Sequence, residues 1–280
     1  MTDAAVSVGI PAYHNESTIE DTIRSLRRQT FGDWECFVSC DADSIATFEM
    51  AIAAVGDDAR FTVTVNEFRL GACGNWNFVL AHATAPLFKL LCADDVLLPD
   101  ALEAQVLAMT HHPLAVLCTG KRDIIDSKGR IIQRGRGLKH RMSPINRTEA
   151  IRLILRSGTN PFGEPSFALY RTEALRQAGG YSSDWEYAID LASYVSVLEY
   201  GQLVALDQTI GSFRVSSSSW SASLVSQQGR ELRRFLEYAL PSSSSDIRSA
   251  DLLIGKMQTA LKSVLRRLVA RIVTLRDRHG

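Results

Sequence analysis

The chain has 280 residues, 46% hydrophobic and 22% charged, a balance that suits a globular protein with a sizeable core. Its 31 basic and 31 acidic residues cancel, so no global charge points to nucleic acid as a partner. No run reaches the roughly 18–20 apolar residues of a membrane span, MTDAAVSVGIPAYHNE lacks the basic and apolar regions of a signal peptide, and the five cysteines form no CxxC pair. A cytoplasmic protein with reduced thiols is expected.

Residues 6–120 alternate strand-like and helix-like stretches. An apolar run at 6–10 is stopped by Pro11, and a helix at 19–29 places Ile19, Ile23 and Leu26 on one face. Strands follow at 34–40, 61–65, 87–92 and 115–119, separated by helices at 46–55, through 76–83, and at 99–110. This βαβα series predicts an α/β fold with a mostly parallel central sheet and helices on both faces. The rhythm then breaks, because Ser127-Lys128-Gly129 between two β-branched runs predicts a hairpin. Helices at 148–156, 172–178 and 190–200 and strands at 167–170, 203–206 and 210–215 complete a mixed second half. From 221 onward the sequence reads as helix, broken at the serine-rich stretch 241–246.

Sites in an open parallel sheet lie beyond the carboxyl ends of its strands. Three such ends carry distinctive residues: Pro11-Ala12-Tyr13-His14-Asn15-Glu16, Asp41-Ala42-Asp43, and Asp94-Asp95. Adjacent carboxylates repel, and burying one without a partner is costly, so something must neutralise Asp94-Asp95. The chain has neither GxxxxGK(S/T) nor GxGxxG, which excludes the usual phosphate-binding glycine loops. A divalent cation held by one or two carboxylates together with substrate phosphates is the natural substitute. The plainer reading of Asp94-Asp95 is the cap region of the helix that follows.

The stretch VSVGIPAYHNESTIEDTIRSLRRQTFGDWECFVSCDAD, followed by RLGACGNWN, LLCADDVLLPDALE, GTNPFGEPSFALYRTEALRQAGGYSSD and IDLASYVSVLEYG, resembles the inverting family 2 glycosyltransferases of the GT-A fold. The likeness runs from about residue 6 to 220. It implies a nucleotide-sugar-binding half at 1–120, an acceptor-binding and catalytic-base half at 121–220, and a helical C-terminal extension at 221–280. It further implies that Pro11, Ala12, Tyr13, Glu16, Asp41, Asn77 and Asp94 serve the nucleotide. Asp94 and Asp95 would hold Mg2+ or Mn2+, with either as the ligand, and Asp190 would be the general base. Gly163, Glu164, Ser166, Trp185, Glu186 and Arg214 would contact diphosphate or acceptor. The implied partners are a UDP-, dTDP- or GDP-sugar donor and a saccharide or lipid-linked acceptor, in cell-surface polysaccharide synthesis.

The sequence departs from the family pattern at four positions: Cys92 stands for the first Asp of DxD, Cys40 for the first of an Asp-Asp pair, Ile189 for a Glu, and Ser216 for a frequent His. The QxxRW motif of processive synthases is absent, which implies transfer of one sugar per binding event. A sugar nucleotidyltransferase, or a non-catalytic nucleotide-sugar or carbohydrate-binding protein, are the alternatives; the first lacks its usual GxGxR opening. Lys128, Arg130, Arg134, Arg136, Lys139 and Arg141 form a basic hairpin, either a solvated face or a contact for an anionic acceptor or membrane. Met257, Leu261, Val264, Leu268, Ile272 and Leu275 share a helical stripe in a basic segment that includes Lys256, Lys262, Arg266, Arg267, Arg271, Arg276 and Arg278. That stripe suits an anionic membrane surface, the body of the domain, or self-association.

Overall fold

A computed structural model describes residues 4–138, 144–216 and 228–239, together with 251, 254, 255, 257 and 258. Strands β1 (Val6–Ala12), β2 (Trp34–Cys40), β3 (Phe61–Val65) and β4 (Leu87–Leu90) alternate with helices α1 (Ile19–Arg27), α2 (Ile45–Val55) and α3 (Gly71–Ala81). After β4 come β5 (Val96–Leu97), α4 (Ala101–His111), β6 (Ala115–Ile125), β7 (Ile131–Arg136) and α5 (Arg147–Ser157). A 3-10 turn (Pro165–Phe167) leads into β8 (Ala168–Arg171), α6 (Thr172–Gln177), α7 (Ile189–Val197), β9 (Gln202–Arg214) and α8 (Gln228–Ala239).

The strands form one sheet in the order β3-β2-β1-β4-β8-β6-β9-β5, with β7 paired on β6. The first four run parallel, β8 is antiparallel to β4 and β6, and β9 is parallel to β6. Central β1 is buried along nearly its whole length, as expected where helices cover both faces of a parallel sheet and no polar alternation is needed. On one face α1, α2 and α4 bury Ile19, Ile23, Leu26, Ala51, Leu102 and Met109. On the other, α3, α5, α6, α7 and α8 bury Trp76, Ile154, Leu175, Tyr194 and Phe235.

Several boundaries differ from expectation. The runs expected at 115–119 and before the hairpin are one strand, β6, and those expected at 203–206 and 210–215 are one strand, β9. The hairpin turns at Gly129, whose φ of 79° lies in the left-handed region. The two-residue β5, absent from the expected elements, pairs Val96 with Ser212 and Leu97 with Gly211. The break at 241–246, the stripe residues Leu261, Val264, Leu268, Ile272 and Leu275, and Lys139 and Arg141 lie outside the described residues. Among the described residues no helix is long and apolar enough to cross a membrane.

β5 matters because it follows Asp94-Asp95 directly, and its pairing depends on a glycine. A Cβ at Gly211 would lie 2.5 Å from the Val96 carbonyl oxygen and 2.6 Å from Phe167 Cε1. Gly211→Ala is expected to lower the unfolding free energy by about 1–3 kcal/mol, the usual effect of overpacking, as read from urea denaturation of the two proteins.

Candidate active site

The Asp94-Asp95 turn sits between β4 and β5, and its two carboxylates have different fates. Asp95 is fully buried. Ser166 Oγ donates to Asp95 Oδ2 at 2.5 Å, and the Arg214 backbone N–H donates to Oδ1 at 3.1 Å. Ser166 Oγ in turn accepts from the Cys92 N–H at 2.9 Å, and Thr22 Oγ1 donates to the Asp95 carbonyl at 2.8 Å. Burial, reinforced by the neighbouring Asp94, pushes the Asp95 carboxyl well above the usual carboxylate range. Asp94 is only partly buried. Its carbonyl accepts from Arg214 Nε at 3.0 Å, while its carboxylate accepts from its own backbone N–H. Desolvation raises its pKa to about 6 even with the Arg214 charge nearby.

Asp190 occupies the second position of α7 and is half-buried. Asn160 Nδ2 donates to its Oδ2 at 2.6 Å, and the Leu191 N–H donates to its Oδ1 at 2.7 Å. Burial, aided by the charge of Glu164, raises its pKa to about 7 against these hydrogen bonds. Asn160 is itself fixed: its Oδ1 accepts from Phe162 and Gly163 N–H, and its Nδ2 also reaches the Gly163 carbonyl at 2.7 Å. Gly163 has a φ of 108° that disfavours any side chain. Glu164 forms a two-point pair with the buried Arg122, at 2.5 Å to Nε and 2.9 Å to Nη2. Burial pushes the Glu164 carboxyl up, but Arg122 more than offsets this and holds it below the ordinary range. The Cys92 thiol, raised by burial, also senses the charges of Asp94, Asp95 and Asp190, so the two strand-end carboxylates and the helix carboxylate share one neighbourhood.

At the other end, Pro11 and Ala12 close β1, and the Ala12 carbonyl accepts the Asp41 N–H at 2.8 Å. Tyr13 is exposed, with the Arg69 guanidinium 4.5 Å above its ring. Glu16 lies 3.6 Å from His14. Desolvation raises its carboxyl, but its own N–H, Thr47 and His14 together bring it below the usual value. Asp41 is buried and reaches the start of α3, accepting from Leu70 N–H at 2.7 Å on Oδ1 and Gly71 N–H at 2.9 Å on Oδ2. It therefore supplies the cap that the first turn of a helix cannot make for itself.

Other residues expected at the site make contacts within the protein. The Asn77 amide is satisfied on both sides by the Tyr181 backbone, at 2.7 and 2.9 Å. Trp185 is buried against Phe235 and Tyr238 and lies in the core. The Glu186 N–H is held by Glu231 at 2.8 Å. The Arg214 guanidinium ties the Asp94 carbonyl, the Ser127 carbonyl and Asp21 together.

A family model described as glycosyl transferase family 2 matches residues 7–179, more than half of the chain. The chain belongs to glycosyltransferase family 2. Among relatives of the chain is the UDP-Glc:alpha-D-GlcNAc-diphosphoundecaprenol beta-1,3-glucosyltransferase WfgD of Escherichia coli, 32% identical over 127 residues. That match covers 45% of this chain and 49% of WfgD, so it spans about half the length of the relative. Two solved structures share the fold of this glycosyltransferase. S. aureus TarS 1–349 in complex with UDP-GlcNAc has a TM-score of 0.67 and 16% identity, over 91% of this chain and 71% of that one. The mannosyltransferase PcManGT of Pyrobaculum calidifontis, in complex with GDP-Man and Mn2+, has a TM-score of 0.66 and 16% identity, over 95% and 75%.

Four residues of this glycosyltransferase's site region escaped the sequence reading: Arg122, Asn160, Arg69 and Glu231. Arg122 carried no local signal, since Lys121 and Asp123 flank it and make that end of β6 read as solvated, whereas the Asn-Pro turn at 160–161 carried a weak one. Arg69 and Glu231 carried none. Ser166→Ala would leave the Cys92 N–H and Asp95 Oδ2 without their shared partner. It is expected to destabilise the fold by about 1–3 kcal/mol for each group left unpaired, as measured by urea unfolding.

Proposed function

We propose that the chain is a non-processive, inverting glycosyltransferase that moves a sugar from a nucleoside-diphosphate sugar to a hydroxyl of a saccharide or lipid-linked acceptor, in polysaccharide or glycolipid synthesis. The observation that carries this reading is Asp190, fixed by Asn160 at the start of α7 with a pKa raised to about 7. An alcohol is a weak nucleophile and needs a positioned base whose pKa lies near the working pH. Asp190 takes the acceptor proton as the hydroxyl oxygen bonds to the anomeric carbon; the bond from that carbon to the diphosphate breaks on the opposite face, which inverts the configuration. The activity in WfgD's name, on a UDP-sugar and a lipid diphosphate, supports this donor and acceptor class.

The donor set suits a divalent cation only in part. Among the described residues no group of three His, Cys, Asp or Glu is placed to hold a metal. Asp94 offers a partly exposed carboxylate held by its own backbone N–H, a hard oxygen ligand of the kind that Mg2+ or Mn2+ takes together with substrate phosphates. When bound there, the cation would supply positive charge to the departing diphosphate. Asp95, buried and saturated by Ser166 and Arg214, would instead hold the turn that aims Asp94. Tyr13 with Arg69, Pro11, Ala12 and Glu16 would border the nucleoside, with Asp41 fixing the start of α3 beside it.

The test uses the full chain with Mn2+ and UDP-glucose, UDP-GlcNAc or GDP-mannose. Asp190→Asn is expected to lower turnover by about 10²–10⁴-fold, the usual range for a lost general base, while nucleotide-sugar affinity by calorimetry is retained; undiminished turnover would remove Asp190 from the role. Asp94→Asn is expected to abolish the gain in UDP affinity that Mn2+ gives the native protein. Because the base must be ionised, kcat should rise with pH through about 7 and flatten above it, so a flat profile from pH 5.5 to 8.5 contradicts the assignment.

A further inference from the structure

The family match ends at residue 179, before Asp190, and α8 lies farther along the chain. We infer that Glu231 on α8 is a positioning residue for Asp190, which makes the C-terminal extension part of the catalytic apparatus; the inference rests on Asp190 being the base. Three successive backbone N–H groups converge on the Glu231 carboxylate. Glu186 donates to Oε1 at 2.8 Å, Ala188 donates to Oε2 at 3.0 Å, and Tyr187 donates to the same Oε2.

These residues are the entry to α7. Ala188 is its N-cap position and has no side chain able to accept a hydrogen bond, so the helix carries no cap of its own. The N–H groups that Glu231 accepts are those of the N-cap residue and of the two residues before it, so the acid holds the segment that leads into the helix from another element. Asp190 follows two residues later, so the direction of its side chain is set by the turn that Glu231 holds. Asn160 holds the carboxylate at its far end.

The docking of α8 is itself well fixed. Trp185 is 5% exposed and meets Phe235 edge-on at 5.5 Å and Tyr238 at 5.5 Å, with the Arg234 guanidinium 4.9 Å from its ring. Leu232 and Phe235 are fully buried in the same core as α7. Farther along, the buried Asp251 pairs with Arg156 at 2.6 Å and Arg152 at 3.7 Å on α5. The extension is thus tied to the domain at two points, one of them at the start of the helix that bears the base.

The titratable groups that face Asp190 from other elements are Glu164, Cys92, Tyr170 and Tyr181, with Tyr194 on its own helix; none of them changes when Glu231 is replaced. Glu231 places a negative charge over the positive end of α7, which opposes ionisation of Asp190. Removing that charge should let Asp190 ionise at lower pH. Gln keeps one accepting oxygen, whereas Ala keeps none.

The experiment measures release of nucleoside diphosphate by the full chain, with Mn2+ and whichever of UDP-glucose, UDP-GlcNAc or GDP-mannose it turns over fastest, with water as the acceptor whose proton Asp190 takes. Glu231→Ala is expected to lower kcat by about 10–100-fold, the scale of a small misplacement of a reacting group, with donor KM within about threefold. Glu231→Gln should fall between Ala and the native protein, and both variants should move the acid limb of the kcat profile to lower pH. Native kcat in folded Glu231→Gln and Glu231→Ala would overturn the inference. So would a parallel loss of kcat, donor binding and thermal midpoint with the acid limb unmoved. Asp190→Asn is run alongside: if it retains turnover, the base assignment fails first and Glu231 falls with it.

Discussion

One buried carboxylate organises the site. Asp95 cannot reach water, so each of its oxygens must find a donor inside the protein. Ser166 and the Arg214 N–H provide them from 71 and 119 residues away in sequence. Those two bonds draw together the turn after β4, the 3-10 turn before β8 and the end of β9. Asp94 is the residue left at the open side of that junction, and its orientation follows from its neighbour's burial. The same junction places Glu164, two residues before Ser166, against Arg122, and the fixed charge of Glu164 helps to raise Asp190.

The site also shows a repeated device. Asp41, at the end of β2, accepts the first N–H groups of α3, and Glu231, on α8, accepts those that lead into α7. In both cases a helix whose own N-cap side chain makes no capping bond is anchored by an acid from a remote element. Local caps such as Asn146 on α5 stabilise a helix but leave it free to pivot with its loop. A remote cap adds a tether, so the start of the helix is fixed against the body of the domain.

This device explains what the sequence did and did not disclose. The alternation of β1 through β4 with α1 to α3 was legible because it rests on local apolar periodicity, and the hairpin was legible because Ser-Lys-Gly is a local turn signal. The start of α3, ahead of the helical run through 76–83, carries no local mark, because its cap lies 29 and 30 residues upstream at Asp41. Asp94 and Asp95 were indistinguishable, since nothing in a pair of identical side chains reveals which one faces Ser166. Trp185 and Asn77 were assigned to ligands because an aromatic or an amide near a site motif reads as a contact. Their partners, Phe235 and the Tyr181 backbone, lie about 50 and 104 residues away. Glu231 could not be reached at all from residue pattern, because an isolated acid on an exposed helical stretch looks like any solvated side chain.

The opposite facings of Asp94 and Asp95 bear on how loss of function in this chain should be interpreted. Two identical side chains, one peptide bond apart, meet different surroundings: one is enclosed by Ser166 and the Arg214 backbone, the other is left partly exposed at the sheet edge. A survey that scores only sugar transfer would rank them as equals. Soluble yield measured in parallel would separate them, sorting Asp95 with Ser166 and Gly211 as parts of the scaffold and leaving Asp94 with Asp190 in the proposed reaction.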